Sequence, residues 1–174
     1  MPGITIHLAA ANEYLKNHPD ENKEEFINGS IAPDFTGDSI KSHHSSSNVF
    51  DSAMCYLRGK VNLRECIKDF DIDSSFGRGY FYHLITDDRF YSSLAVFEQQ
   101  FKLLSYEELR NMLYHDYAVT NSFFKDKYKV VMPETVKEFD INKTGDSAII
   151  DLGKVCDMIE GLGVLNLDEY LESL

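Results

Sequence analysis

Apolar residues recur at helical spacing along most of the chain. Between Ile6 and Leu15 they predict a first helix, with Thr5 as its N-cap and an end before Pro19. Acidic residues from Asp20 onward open a second helix, which Gly29 and the following proline are expected to close. Further helices are predicted at 48–58, 63–70, 90–104, 105–124, 135–139, 148–159 and 167–174.

The segment from Gly79 to Phe90 is the most distinctive part of this pattern. It contains no proline and no internal glycine, and it is too aromatic for a helix that faces water on all sides. Downstream, Ser105 precedes Glu108 by three residues, the capping-box signature of a helix start. With no internal repeat and no run of alternating strand residues, the pattern predicts an all-α fold. We expect one domain over residues 1–174, a single compact multi-helix bundle.

Composition and charge narrow the classes of partner. A formal net charge of −12 and a pI near 4.8 argue against nucleic acid and against anionic membrane surfaces, which both need a cationic footprint. Three cysteines without a CxxC pair are typical of a reducing compartment. The N-terminal residues lack the basic and apolar regions of a leader, and no apolar run has the length of a membrane span. We therefore predict a cytoplasmic protein without stable membrane association.

Histidines and aspartates supply the candidate chemistry. His83 and Asp87 are four residues apart, so a helix places both side chains on one face, where one cation can contact both. A buried hydrogen-bonded pair has the same spacing. Nitrogen and oxygen ligands without cysteine suit zinc, manganese or iron better than copper(I). The other candidates lie on separate predicted elements: His7, Asp34, His43 or His44, and His115 or Asp116.

Four motifs, in this order, resemble those of the zinc-dependent phospholipase C family, which is all-helical. They are His7-Leu8-Ala9, Phe26-x-x-Gly29-x-Ile31-Ala32-Pro33-Asp34, Lys41-Ser42-His43 and His83-x-x-x-Asp87. The resemblance covers roughly residues 1–91, and the Gly-x-Ile-Ala-Pro-Asp turn is its most specific part. It implies hydrolysis of a small phosphate ester by metal-activated water that attacks phosphorus.

The resemblance also implies a role for each matching residue. Asp34, His43, His83 and Asp87 would surround one metal ion, and His7 would help to hold a second, with Asp87 bridging the two. Asp34 would in addition act as the general base. No later His-x-x-x-Glu pair matches the family's third metal, since the residue four beyond His115 is Val119. We therefore expect one or two ions, most simply zinc, with His115 or Asp116 as a replacement for one missing ligand.

Two other functions compete with this one. The His115-Asp116 doublet resembles that of HD-type nucleotide phosphohydrolases, another all-α metal-dependent class, which would centre the metal there. Alternatively, the metal or a set of histidine–aspartate hydrogen bonds braces the fold of a non-catalytic protein. Substitution of His115 and Asp116 distinguishes the first alternative, and an assay for phosphodiesterase activity distinguishes the second.

Overall fold

Packed α-helices make up most of the computed structural model, which describes residues 3–46, 60–94, 104–134, 136 and 142–174. A 3-10 turn, Ala32–Phe35, follows the second helix, and two short antiparallel strands pair, β1 (Ser45–Ser46) with β2 (Lys60–Val61). The prediction of an all-α bundle is confirmed. The helices are α1 (Ile4–Asn17), α2 (Lys23–Ile31), α3 (Ser39–Ser42), α4 (Leu63–Asp69), α5 (Ser75–Leu94), α6 (Tyr106–Tyr128), α7 (Leu152–Gly163) and α8 (Leu167–Glu172).

Several predicted helix ends are wrong, and some predicted helices lie outside the residues that the structure describes. The N-cap of α1 is Gly3, so Thr5 lies buried within the first turn. Asn22, not an acidic residue, caps α2 by accepting a hydrogen bond from the Glu25 amide. Helix α7 begins four residues later than predicted, at Leu152. The helix predicted at 48–58 lies outside the described residues, as do most of the one at 135–139 and residues 95–103 of the one at 90–104.

The predicted capping box of α6 is confirmed. The Ser105 hydroxyl accepts a hydrogen bond from the Glu108 amide, and the Glu108 carboxylate accepts one from the Ser105 amide. Helix α6 continues to Tyr128, past the predicted end, and stops where Lys129 adopts a left-handed conformation with φ of 55°. No helix in the described part of the chain has the length and apolar character needed to cross a membrane.

Helix α1 runs through the hydrophobic core and carries the first candidate ligand there. Its three consecutive alanines, residues 9–11, are fully buried and allow other helices to approach closely. The Tyr82 hydroxyl donates a hydrogen bond of 3.1 Å to the carbonyl of Ala10, which links α5 to α1. Ala10 lies one turn beyond His7, and Tyr82 directly precedes His83. This hydrogen bond therefore places the two histidines close together in the core.

Helices α2 and α5 cross at two glycines. A Cβ atom on Gly29 would overlap the carbonyl oxygen of Phe76, and one on Gly79 would overlap the carbonyl oxygen of Phe26. Gly29 was predicted to end its helix, but α2 continues through it to Ile31. Close backbone packing explains why position 29 is a glycine, because a Cβ atom there would leave no room for the two helices to cross. The contact packs the second half of α2 against the first turns of α5.

Candidate metal centre

The five histidines and aspartates of the first ninety residues that were predicted as ligands converge inside the bundle. They come from four separate elements. His7 lies on α1, Asp34 on the 3-10 turn and His43 directly after α3. Helix α5 carries both His83 and Asp87. All five side chains are at least nine-tenths buried, and that of Asp34 keeps the most exposure, 9%.

These residues form two overlapping groups whose ligand atoms lie within 4.8 Å of one another. One group is Asp34, His43 and His83, and the other is His7, His83 and Asp87. Nε2 of His43 lies 3.2 Å from Nε2 of His83 and 3.5 Å from Oδ1 of Asp34. Because His83 belongs to both groups, it is the centre of the cluster.

Asp87 belongs to the second group and also lies close to the first. Its Oδ1 atom is 3.4 Å from Nε2 of His7, while its Oδ2 atom is 3.6 Å from His43 Nε2 and 3.7 Å from His83 Nε2. Two ligand atoms on one tetrahedral zinc ion, each about 2.1 Å from it, are on the order of 3.4 Å apart. The separations in the cluster are therefore those expected around a metal ion, and are longer than most hydrogen bonds.

Hydrogen bonds to the far sides of two imidazoles decide which nitrogens face the cluster. Nδ1 of His83 lies 2.8 Å from the carbonyl oxygen of Ser30, and a carbonyl can only accept, so this nitrogen carries the proton. Nδ1 of His43 lies 2.9 Å from the Ser42 hydroxyl, which itself donates to the carbonyl of Pro33 at 3.0 Å. Both Nδ1 atoms are thus donors, and both Nε2 lone pairs are directed into the cluster.

Two lone pairs that face each other at 3.2 Å repel unless a proton or a metal ion lies between them. The surroundings favour a cation. Burial lowers the pKa of His83 to about 4, so this imidazole is neutral at neutral pH, the form that binds metal. Burial would raise the pKa of Asp34 and of Asp87, but the surrounding imidazoles, that of His83 first, together outweigh it and keep both pKa values below their ordinary range. Two buried negative charges therefore surround the histidine nitrogens.

Several polar atoms of the cluster have no hydrogen-bond partner in the described part of the chain. These are both ring nitrogens of His7, Oδ1 of Asp34 and Oδ1 of Asp87. The His7 ring stacks on that of His83, with centroids 3.7 Å apart and planes 9° from parallel. A buried polar atom without a partner costs about 1–3 kcal/mol, so four of them together are unusual unless a ligand satisfies them. The buried histidine and aspartate groups could hold a metal ion.

The neighbouring histidines of the 43–44 pair have different environments. His43 points into the cluster, as described above. His44 adopts a left-handed conformation with φ of 47°, and its Nδ1 atom lies 3.8 Å from the carboxylate of Asp69 on α4. The structure therefore brings His43, and not His44, to the other candidate ligands.

Asp116 belongs to neither group. It is fully buried on α6, and its two oxygens accept hydrogen bonds from three successive backbone amides, those of Ala148, Ile149 and Ile150, at 2.9, 2.5 and 2.9 Å. The side chain of His115, the other half of the predicted doublet, is 46% exposed. These contacts do not support a metal role for Asp116. They give it a structural one, which is to hold the segment before α7 against α6.

Replacement of Asp116 by asparagine is expected to lower the free energy of unfolding by about 2 kcal/mol, because an amide nitrogen would then face a backbone N–H group. The metal content should not change. Urea unfolding and elemental analysis of the same preparation check both expectations. A variant that keeps its stability but loses metal would instead place Asp116 among the ligands.

The residues that orient the histidines were not predicted from the sequence. The acceptor for His83 is a backbone carbonyl, which every residue possesses, so no sequence signal marks it. Ser42 does have a signal, although a weak one. It is part of the Lys41-Ser42-His43 motif, so it lies next to a candidate ligand.

We found no protein-family model, no curated protein and no solved structure that matches this chain significantly.

Proposed function

We propose that this protein is a metal-dependent hydrolase of phosphate esters, with one or two divalent transition-metal ions, most simply zinc, in the cluster around His83. One observation carries the proposal. The residues that resemble zinc-dependent phospholipase C motifs are scattered over more than eighty positions, yet their ligand atoms lie within a few ångströms of each other. The buried atoms without hydrogen-bond partners support it further.

Asp34, His43 and His83 would hold the first ion. Three protein ligands leave one position of a tetrahedral zinc ion for water or substrate, the arrangement of catalytic rather than structural zinc sites. Asp87 and His7 would hold a second ion, because the single available nitrogen of His83 can serve only one ion at a time. When bound, the metal would lower the pKa of water and balance the charge of a phosphoryl group.

Asp34 is the residue best placed to handle a proton. It is the least buried of the five, at 9% exposure of its side chain, so water can approach it more readily than it can approach Asp87 or His83. The lowered pKa of its carboxyl keeps it ionised at neutral pH, the form that accepts a proton. The family resemblance assigns the same residue as general base.

Elemental analysis of protein purified without a histidine tag is the direct test. About one or two equivalents of zinc or another transition metal per chain are expected. Hydrolysis of a chromogenic phosphodiester and of the matching monoester should require this metal and should return when zinc or manganese is restored after chelation. Protein that holds no metal after metal-replete growth would contradict the proposal.

Removal of the metal should also destabilise the fold. An ion present at a hundred times its Kd adds about 2.7 kcal/mol to the stability of the folded chain, which for this size corresponds to about 5–10 °C in Tm. Differential scanning calorimetry with and without a chelator measures the shift. A Tm that does not change on chelation, in protein shown to contain metal, would place the bound ion outside this cluster.

A non-catalytic, metal-braced protein is the second candidate. The nearly complete burial of His7, His83 and Asp87 favours it, because a bracing ion needs no access for substrate. The same two measurements separate the candidates. The bracing function predicts the fall in Tm on chelation without hydrolysis of any phosphate ester.

A further inference from the structure

Ser42 connects two of the segments that carry candidate ligands. It is 6% exposed, and each of its backbone and side-chain polar groups has a partner. Its amide donates to the carbonyl of Asp38, and its own carbonyl accepts from the hydroxyl of Tyr80 on α5 at 2.5 Å. Its hydroxyl contacts the residue before Asp34 and the ring of His43. The serine thus joins the 3-10 turn, α3 and α5 at one point.

The direction of the hydrogen bonds through the hydroxyl is determined by the partners. The carbonyl of Pro33 can only accept, so the hydroxyl hydrogen is directed to it, at 3.0 Å between the oxygens. The Ser42 oxygen can then accept from Nδ1–H of His43, 2.9 Å away. A histidine that donates from Nδ1 presents the Nε2 lone pair on the opposite side of the ring, where Asp34, His83 and Asp87 lie.

Backbone contacts alone do not orient this ring. The Tyr80 hydroxyl and the Asp38 carbonyl fix the main chain of Ser42, and the pairing of Asn62 with the carbonyl of His44 fixes the chain just beyond His43. None of these bonds involves the imidazole. The Ser42 hydroxyl contacts Nδ1, so its loss would remove a bond that favours the Nδ1–H tautomer of His43 while these backbone bonds remain.

We propose that Ser42 is a positioning residue of the metal centre, whose hydroxyl holds His43 with its Nε2 lone pair toward the ion and ties that ring to the turn that carries Asp34. The inference rests on the proposed metal-binding function. Hydrogen-bond partners behind a ligand histidine typically change metal affinity by about 10- to 100-fold when they are removed.

The test compares the zinc Kd of the wild-type protein with those of three variants, two at Ser42 and one control, measured by competition with a chromophoric chelator. S42A is expected to weaken zinc binding about 10- to 100-fold. S42T keeps the hydroxyl at a residue that borders a surface cleft of about 800 Å³, so affinity should largely recover.

Thr120 provides a matched control. It is as buried as Ser42 but lies on α6, outside the cluster, and its hydroxyl donates within its own helix, to the carbonyl of Asp116 at 2.7 Å. Thr120→Ala should therefore cost stability as S42A does, without a change in the zinc Kd. A similar loss of affinity in both variants would show a general structural effect and would overturn the role of Ser42.

Nitrogen-15 NMR of the histidine-labelled apoprotein gives a second readout that does not depend on metal. Wild type and S42T should show the Nδ1–H tautomer for His43, and S42A a mixture of tautomers. Wild type that binds zinc, with S42A unchanged in Kd and tautomer, would overturn the role of Ser42 alone. Wild type that binds no zinc would overturn the proposed function and the metal role of Ser42 with it.

Discussion

Replacement of His83 by alanine is expected to reduce zinc affinity by at least about 100-fold and to abolish metal-dependent hydrolysis, because a lost ligand costs no less than a lost partner behind it. His83 would be a ligand of the first ion and lies 3.2 Å from His43, so that ion cannot keep its full ligand set without it. Metal content after gel filtration and the zinc Kd measure the effect.

Two further variants show whether the loss of zinc comes from the loss of His83 as a ligand. His115→Ala removes a histidine that is 46% exposed and outside the cluster, so its zinc affinity and activity should match the wild type. His83→Gln retains bulk and polarity in the core, and it distinguishes loss of a ligand from loss of folding, which far-UV circular dichroism monitors. Loss of metal in the His115 variant with retention in both His83 variants would favour an HD-type site instead.

Replacement of Gly29 by alanine should destabilise the protein by about 3 kcal/mol, the upper part of the usual range for overpacking. The added methyl group would overlap the carbonyl oxygen of Phe76, and helix backbone cannot move aside as a flexible side chain can. Because the next residue, Ser30, supplies the carbonyl that orients His83, separation of α2 from α5 should weaken zinc binding as well.

Gly161→Ala is the matched control for this substitution. Gly161 is exposed on α7, and a Cβ atom there would meet no atom within 4 Å. Alanine should stabilise the helix by about 0.5–1 kcal/mol, since glycine loses more conformational entropy on folding. Urea unfolding of both variants gives the comparison. A Gly29 variant within 0.5 kcal/mol, on the order of an ordinary surface change, would contradict the close crossing.

Local patterns in the sequence were sufficient for the helices that depend on short-range interactions. The capping box at Ser105 and Glu108 was predicted correctly because both partners lie within one turn of helix. The prediction that Gly29 ends its helix was wrong because the contact that matters there is a long-range one. The effect of this glycine on helix propensity is visible locally and suggests a helix end, whereas the contact that requires glycine is with Phe76, far away along the chain.

The order of motifs along the chain was enough to name five candidate ligands, and the four-residue spacing was enough to put His83 beside Asp87. The folded structure was needed to bring His7, Asp34 and His43 to them, and to show that Asp116, predicted as a further ligand, instead holds three backbone amides. It also decided the orientation of His43 and His83. Burial and hydrogen bonds between distant segments set a ligand's environment and tautomer, and neither follows from residue type alone.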